Sequence, residues 1–226
     1  MGQKTIFLDF DGTLVNSSVG IYRSFSKACC SVGLRPPDFD NFCTTIGPPV
    51  HSMVKQFFPD MCLETYSQFL QVFRSEYDEF DYAYVTWHAG VIDGLMALTQ
   101  TFDGCVYVVT NKPTYPTTSI LKHAGLLDCF KEVVGIDYRL LNKRGAVFVD
   151  KAEAIKFTLN LADSSPDEAF YIGDTPSDRD SSQKAGVLFI AATYGFYHWR
   201  LDELSADMHA HCFSEAVNII ERLANS

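Results

Sequence analysis

Hydrophobic and polar positions alternate with two different periods along the chain. Short apolar runs closed by polar or turn-forming residues recur at Thr5–Phe10, Cys105–Thr110, Lys131–Ile136, Ala169–Ile172 and Val187–Ala192. Their brevity and their β-branched and aromatic content predict strands buried on both faces, as in a parallel sheet. Between them, apolar residues recur at helical spacing over Val91–Gln100, Thr114–Ala124, Lys151–Ala162 and Asp178–Ala185. Pro116 lies near the start of the second of these helices, and Gly186 stops the last. Strands alternating with helices imply right-handed βαβ crossovers and a doubly wound α/β sheet. A ligand site in such a sheet lies beyond the carboxyl ends of the strands, where strand order reverses.

The stretch 15–87 breaks this rhythm. Ile21–Val32, Val50–Phe58 and Leu63–Phe80 carry helical patterns, punctuated by Pro36, Pro37, Gly47, Pro48 and Pro49, and no central-strand pattern appears. The reading is an all-helical module, 15–87, inserted after the first strand of a core made of 1–14 and 88–226. His88-Ala89-Gly90 returns the chain to that core, and Tyr22, Phe25, Phe42 and Phe57 are expected inside the module.

Composition narrows the partners. The 226 residues suffice for one α/β core and a small insert, and a hydrophobic fraction of 47% supports close packing. A formal net charge of −10 disfavours nucleic acid and anionic membranes, which call for excess Lys and Arg. An anionic small molecule stays compatible, because one metal ion and one or two lysines reverse the field locally. No apolar run reaches membrane-spanning length, and the N-terminal residues lack a secretory pattern. Seven scattered cysteines without a CxxC fit reduced thiols in a cytoplasmic protein.

Four short motifs carry chemistry. Asp9-Phe10-Asp11-Gly12-Thr13 follows the first apolar run, and its two acids close on one point only if something offsets their repulsion, for which a hard divalent cation suffices. Gly12 permits the turn. Phe170-Tyr171-Ile172-Gly173-Asp174 ends a second strand in an acid, with Asp178 four residues on at a helix start, where an acid also serves as a cap. Parallel strands deliver both carboxylate sets to one sheet edge. Val108-Val109-Thr110-Asn111-Lys112 ends a third strand in a hydroxyl and an amide that can cradle phosphate oxygens. Lys151 opens a helix, where a cation opposes the macrodipole and so points to electrostatic work; Lys143 and Lys156 compete for that role.

In this order the four motifs resemble those of the haloacid dehalogenase superfamily, and the TNKP wording with the long helical insert resembles its phosphoglycolate-phosphatase-like branch. The resemblance implies a Rossmann-like core with a helical cap. It also implies a Mg²⁺-dependent phosphatase that hydrolyses a small-molecule phosphomonoester, with phosphoglycolate as first guess, through an aspartyl-phosphate. By that resemblance Asp9 is the nucleophile and Asp11 the general acid and base. Thr110 and Asn111 hold phosphate, with Lys112 and Gly12 beside them, and Lys151 steadies Asp9 and the phosphoryl oxygens. Asp9, the Asp11 main-chain carbonyl and Asp174 hold Mg²⁺, with Asp178 behind them. A phosphosugar mutase on the same scaffold and a catalytically silent binding module stand as alternatives. Substrate choice is expected in the insert: Gly47-Pro48-Pro49 as a loop facing the site, and Arg23 and Lys55, with Arg74 in the same position, as candidates for a second anionic group. The aromatics of Tyr194–Arg200 fit a dimer patch or local packing equally, so monomer and homodimer both stand, and His198, His209 and His211 lack a metal-ligand spacing.

Overall fold

The structure is a computed structural model that describes residues 4–102, 104–136, 148–204 and 208–225. Strand β1 (Thr5–Leu8) leads to a two-residue strand β2 (Val15–Asn16), then to helices α1 (Ser18–Ser31), α2 (Phe39–Cys43), α3 (Val50–Phe57) and α4 (Leu63–Phe80). A second two-residue strand, β3 (Thr86–Trp87), precedes α5 (Val91–Thr101), β4 (Val106–Thr110), α6 (Thr114–His123) and β5 (Glu132–Gly135). The remainder is α7 (Lys151–Ala162), β6 (Ala169–Gly173), α8 (Pro176–Ala185), β7 (Leu188–Ala192), β8 (His209–Ala210) and α9 (Phe213–Ala224).

Six strands form one parallel sheet in the order β5-β4-β1-β6-β7-β8. The chain winds outward from β1 first through β4 and β5, then through β6 to β8, so the order reverses at β1. Alternation along each strand feeds two cores. Ile6 and Leu8 of β1 face one cluster, with Val91, Leu95 and Leu98 of α5 and Phe213 and Ile220 of α9. Phe7 faces the other, with Ile155 and Leu159 of α7 and Tyr171 of β6. The predicted doubly wound core is present, and its strands read as near-continuous apolar runs because both faces are covered.

Helices α1–α4 close on a third cluster of their own, rich in aromatic rings. Phe25 lies 4.8 Å from Phe42 and 5.0 Å from Phe69 between ring centroids, and Tyr22 and Phe57 pack in the same cluster, as expected for the cap. At its base β2 and β3 pair antiparallel, Val15 opposite Trp87 and Asn16 opposite Thr86, tying entry to exit. This ribbon was invisible to periodicity, since two residues carry none. The short helix α2, capped by the Asp38 side chain accepting from Asn41 N–H, was equally unreadable. All seven cysteines are free thiols. Among the described residues no helix is long and apolar enough to cross a membrane.

Candidate active site

The carboxyl ends of β1, β4 and β6 converge, and each delivers a polar residue into the crevice at the reversal point. After Leu8 the chain enters a tight loop in which Gly12 N–H donates to the Val15 carbonyl (2.7 Å) and Leu14 N–H to the Phe10 carbonyl (2.9 Å). Gly12 adopts φ 86°, and a Cβ there would fall 2.1 Å from Asp174 Oδ2. Glycine is therefore required twice, for the left-handed backbone and for the close approach. The loop leaves Asp9 buried and Asp11 partly open to the cavity.

Asp9, Asp174 and Asp178 are all buried, and each offers a carboxylate oxygen within 4.8 Å of the others. Lys151 joins them from the first turn of α7, itself buried: its Nζ lies 3.1 Å from Asp9 Oδ1 and donates a short hydrogen bond to Asp178 Oδ1. The Lys151 approach to Asp9 is at ion-pair distance but off the hydrogen-bonding direction, so Asp9 Oδ1 keeps no well-directed partner. Burial, then the nearby Asp178 carboxylate, pushes the Asp9 carboxyl up to about 7, against the opposing pull of Lys151. Asp174 is raised well above the carboxylate range for the same first reason, burial. Burial alone would lower Lys151, but the Asp178 and Asp9 carboxylates outweigh it and hold the ammonium above its ordinary range. Lys156, the competing lysine, is exposed on the far side of its helix, and Lys143 lies outside the described residues.

Asp178 caps a helix and pairs with Lys151 at once. Its Oδ2 accepts from Thr175 N–H (2.9 Å) and Thr175 Oγ1 (2.6 Å), closing a capping box on α8, while its Oδ1 takes Lys151. Asp174 Oδ2 accepts from Phe196 N–H (2.8 Å), and the Trp199 indole N–H donates to the Asp174 carbonyl (2.9 Å). The aromatic stretch after β7 thus packs locally around Asp174, and Phe196 also touches the cap cluster. Sequence reasoning missed these two tethers because an indole reaching back 25 positions leaves no local trace.

The Asp11 carboxylate is not part of the acidic cluster. It accepts from Ser17 Oγ (2.6 Å) and from Lys112 Nζ (3.3 Å), two groups that turn it toward the cavity. The Asp11 side chain thus stands outside the group formed by Asp9, Asp174 and Asp178. Lys112, buried, also stacks 4.2 Å from the Tyr77 ring of α4, linking core to cap. Burial lowers its ammonium pKa and Asp11 opposes that. Thr110 is buried at the end of β4, where its Oγ1 accepts from Lys112 N–H (3.2 Å). Asn111 donates its side-chain amide to the Gly47 carbonyl (2.9 Å), so one phosphate-cradle candidate is spent in part on the cap loop. Gly47 meets the core again at Thr175, whose Cγ2 would lie 2.8 Å from an added Cβ.

Cap and core enclose a cavity of about 140 Å³ lined by Asp9, Asp11, Thr110, Asn111 and Lys112 from the core, and by Gly47 with its two prolines from the cap. Arg23 and Lys55 are not on it. Arg23 is exposed and stacks 4.9 Å from the Tyr84 ring, and Lys55 is exposed on α3. The cap cation on the cavity is Arg74.

The three buried carboxylates and one lysine leave a formal charge of −2 in a buried site, and Asp9 Oδ1 makes no hydrogen bond. A hard divalent cation fits that donor set on charge and on ligand type, with Asp9 and Asp174 the carboxylates that have lone pairs to give. Comparison with known proteins agrees with this geometry. The haloacid dehalogenase-like hydrolase family model matches residues 6–192. A phosphoglycolate phosphatase of Rhodobacter capsulatus is 28% identical over 96% of each chain, and a 5'-nucleotidase of Pseudomonas aeruginosa is 28% identical over 91% of this chain and 89% of its own. A haloacid dehalogenase-like family hydrolase from Streptococcus pneumoniae superposes with a TM-score of 0.81 at 27% identity, covering 98% of this chain and 97% of the other. With the family motifs brought to one crevice and the family model spanning both core and insert, the chain belongs to the haloacid dehalogenase-like hydrolases.

Proposed function

We propose that this hydrolase removes phosphate from a small phosphorylated metabolite through an aspartyl-phosphate on Asp9, with residues 15–87 acting as the cap over the site. The observation that carries the reading is the buried Asp9 carboxylate on the cavity lining, its Oδ1 without a hydrogen bond, beside Lys151 and Asp174. The phosphoglycolate phosphatase and nucleotidase relatives support a phosphomonoester as substrate.

Asp9 and Asp174, with the Asp11 main-chain carbonyl, would hold Mg²⁺. When bound, the ion neutralises phosphoryl oxygen charge and lets a carboxylate approach an anion. Asp9 then attacks phosphorus as the ester P–O bond breaks, and Asp11, aimed into the cavity by Ser17, gives its proton to the leaving oxygen. Water next attacks the acyl phosphate, Asp11 takes its proton back, and phosphate departs with Asp9 restored. Lys151 offsets charge on Asp9 and on the phosphoryl oxygens throughout. Thr110, Asn111, Lys112 and Gly12 border the phosphate position. Cap closure excludes water during transfer, and the Asn111–Gly47 bond and the Lys112–Tyr77 stack are the contacts that hold it shut.

Asp9→Asn is nearly isosteric and removes the nucleophile. Phosphate release from an aryl phosphate in Mg²⁺ should fall by at least ~10³-fold with the melting profile preserved. Turnover near the parent rate refutes the assignment.

A further inference from the structure

After β7 the chain crosses the carboxyl edge of the sheet as Tyr194-Gly195-Phe196-Tyr197-His198-Trp199. Both ends of this loop are fastened to the core. The Tyr194 hydroxyl donates to the Thr13 carbonyl (3.0 Å), and its ring lies edge-on to His88, where the chain leaves the cap. The Trp199 indole donates to the Asp174 carbonyl (2.9 Å), and its ring lies against Phe189 of β7 and beneath the Arg179 guanidinium of α8. Between these anchors Gly195 presses on the acid itself: a Cβ there would fall 2.2 Å from Asp174 Cβ and 2.6 Å from the Gly12 carbonyl oxygen. Phe196 differs from its neighbours because its two halves serve different parts of the molecule. Its N–H holds Asp174 Oδ2 at 2.8 Å, while its half-buried ring packs against the aromatic cluster of the cap. Among the described residues every other member of that cluster lies between Ile21 and Tyr77.

Resting on the cation site and the cap of the reading above, we propose that Phe196 is a positioning residue that couples the cap to Asp174, so that cation loading and cap closure favour one another. With Oδ2 held by the Phe196 N–H, Asp174 has Oδ1 to present, which meets the Thr13 hydroxyl only at a longer 3.4 Å. A carboxylate fixed before an ion arrives loses less freedom on binding it. The ring is seated in the cap cluster only while the cap is closed; an opened cap releases the ring, then the loop, then the acid. Linkage makes the effect reciprocal, so a cation that holds Asp174 in place favours the closed cap by the same factor. The contacts of Asn111 with Gly47 and of Lys112 with Tyr77 also join core to cap, but they start from the end of β4 and do not touch Asp174. Gly47 against the Thr175 methyl is the competing route from cap to acids.

Two readouts on the substrate-free protein test the coupling, and neither is turnover. Calorimetric titration gives the Mg²⁺ affinity, and amide hydrogen exchange over residues 46–58, which give no ligand to the acidic cluster, reports on the cap. In the wild type, saturating Mg²⁺ should slow exchange over 46–58 by at least about threefold. Phe196→Ala keeps the N–H and removes the ring; it should raise the Mg²⁺ dissociation constant about 5- to 20-fold and abolish the slowing even with the site filled. Phe196→Leu, which keeps much of the apolar contact, should retain most of both effects. Trp199→Phe deletes the indole donor and keeps an aromatic ring, so it should weaken Mg²⁺ binding yet leave the slowing intact at saturation. Wild-type exchange indifferent to Mg²⁺, unchanged affinity in Phe196→Ala, or slowing that survives Phe196→Ala through Gly47 and Thr175 each overturns the coupling while the cation site stands. A wild-type protein that binds no Mg²⁺ overturns both.

Discussion

Lys151 is the only cation within reach of two buried carboxylates among the described residues, and its removal gives the sharpest test of the site's electrostatics. Lys151→Met keeps the length and apolar stem of the side chain while deleting the ammonium. At 3.1 Å from Asp9 Oδ1, one ion pair is worth roughly 5 kcal/mol at an effective dielectric of about 20, before the desolvation of the lysine is returned. Removing one partner of a buried pair costs about 3–5 kcal/mol net, because the remaining charges stay buried and unpaired. Set against a domain stability of about 5–15 kcal/mol, the variant should fold but be markedly weakened.

The loss should depend on pH. The Asp9 carboxyl is raised from 3.8 to about 7 in the folded protein, so the folded state binds a proton that the unfolded state has already released. Stability therefore falls as pH rises through roughly 4 to 7 in metal-free protein. Without Lys151 the carboxyl rises further, and the fall extends above pH 7. Urea unfolding in EDTA followed by circular dichroism should show a difference between wild type and Lys151→Met that is larger at pH 8 than at pH 5. Added Mg²⁺ should recover more stability in the variant, whose site carries formal charge −3 instead of −2. A loss below about 1 kcal/mol at pH 8, or the same loss at both pH values, refutes the reasoning.

Gly12→Ala should cost about 2–4 kcal/mol in urea unfolding and raise the Mg²⁺ concentration for half-maximal activity, since φ 86° and a 2.1 Å approach to Asp174 both oppose a Cβ; wild-type values for both would show that the loop relaxes freely. Ser17→Ala frees the Asp11 carboxylate from its 2.6 Å donor, and kcat should drop about tenfold with stability changed by less than about 1.5 kcal/mol. An unchanged kcat would mean that Lys112 alone orients Asp11.

What the sequence revealed follows from where the physics is local. A strand buried on both faces writes itself as an apolar run, and a loop at its carboxyl end must break that run with polar residues. Asp9, Thr110 and Asp174 were therefore readable one strand at a time, and parallel pairing did the rest. Lys151 was readable because a cation at a helix N-terminus is unfavourable until something distant compensates it, and the Asp9 and Asp178 carboxylates do so.

The cap shows the opposite case. Arg23, Lys55 and Arg74 look alike as isolated cations in helical stretches, and chain proximity to the Gly47 loop favours Lys55, which the structure leaves exposed on α3. Facing decides the matter, and facing is periodic. Tyr66, Leu70, Phe73 and Tyr77 define the inward stripe of α4, and Arg74 interrupts it, whereas Arg23 projects from the exposed side of α1 toward Tyr84. A cation within an apolar stripe costs free energy in a helix that gains nothing from it, so the interruption itself was the available signal. The same logic explains why Ser17 and Trp199 escaped notice. Each acts through one hydrogen bond to a distant acid, and a hydroxyl or an indole costs nothing locally that would mark it out. Residues that are locally unfavourable announce a compensating partner, and those that are locally neutral can be found only once the chain has brought the partner to them.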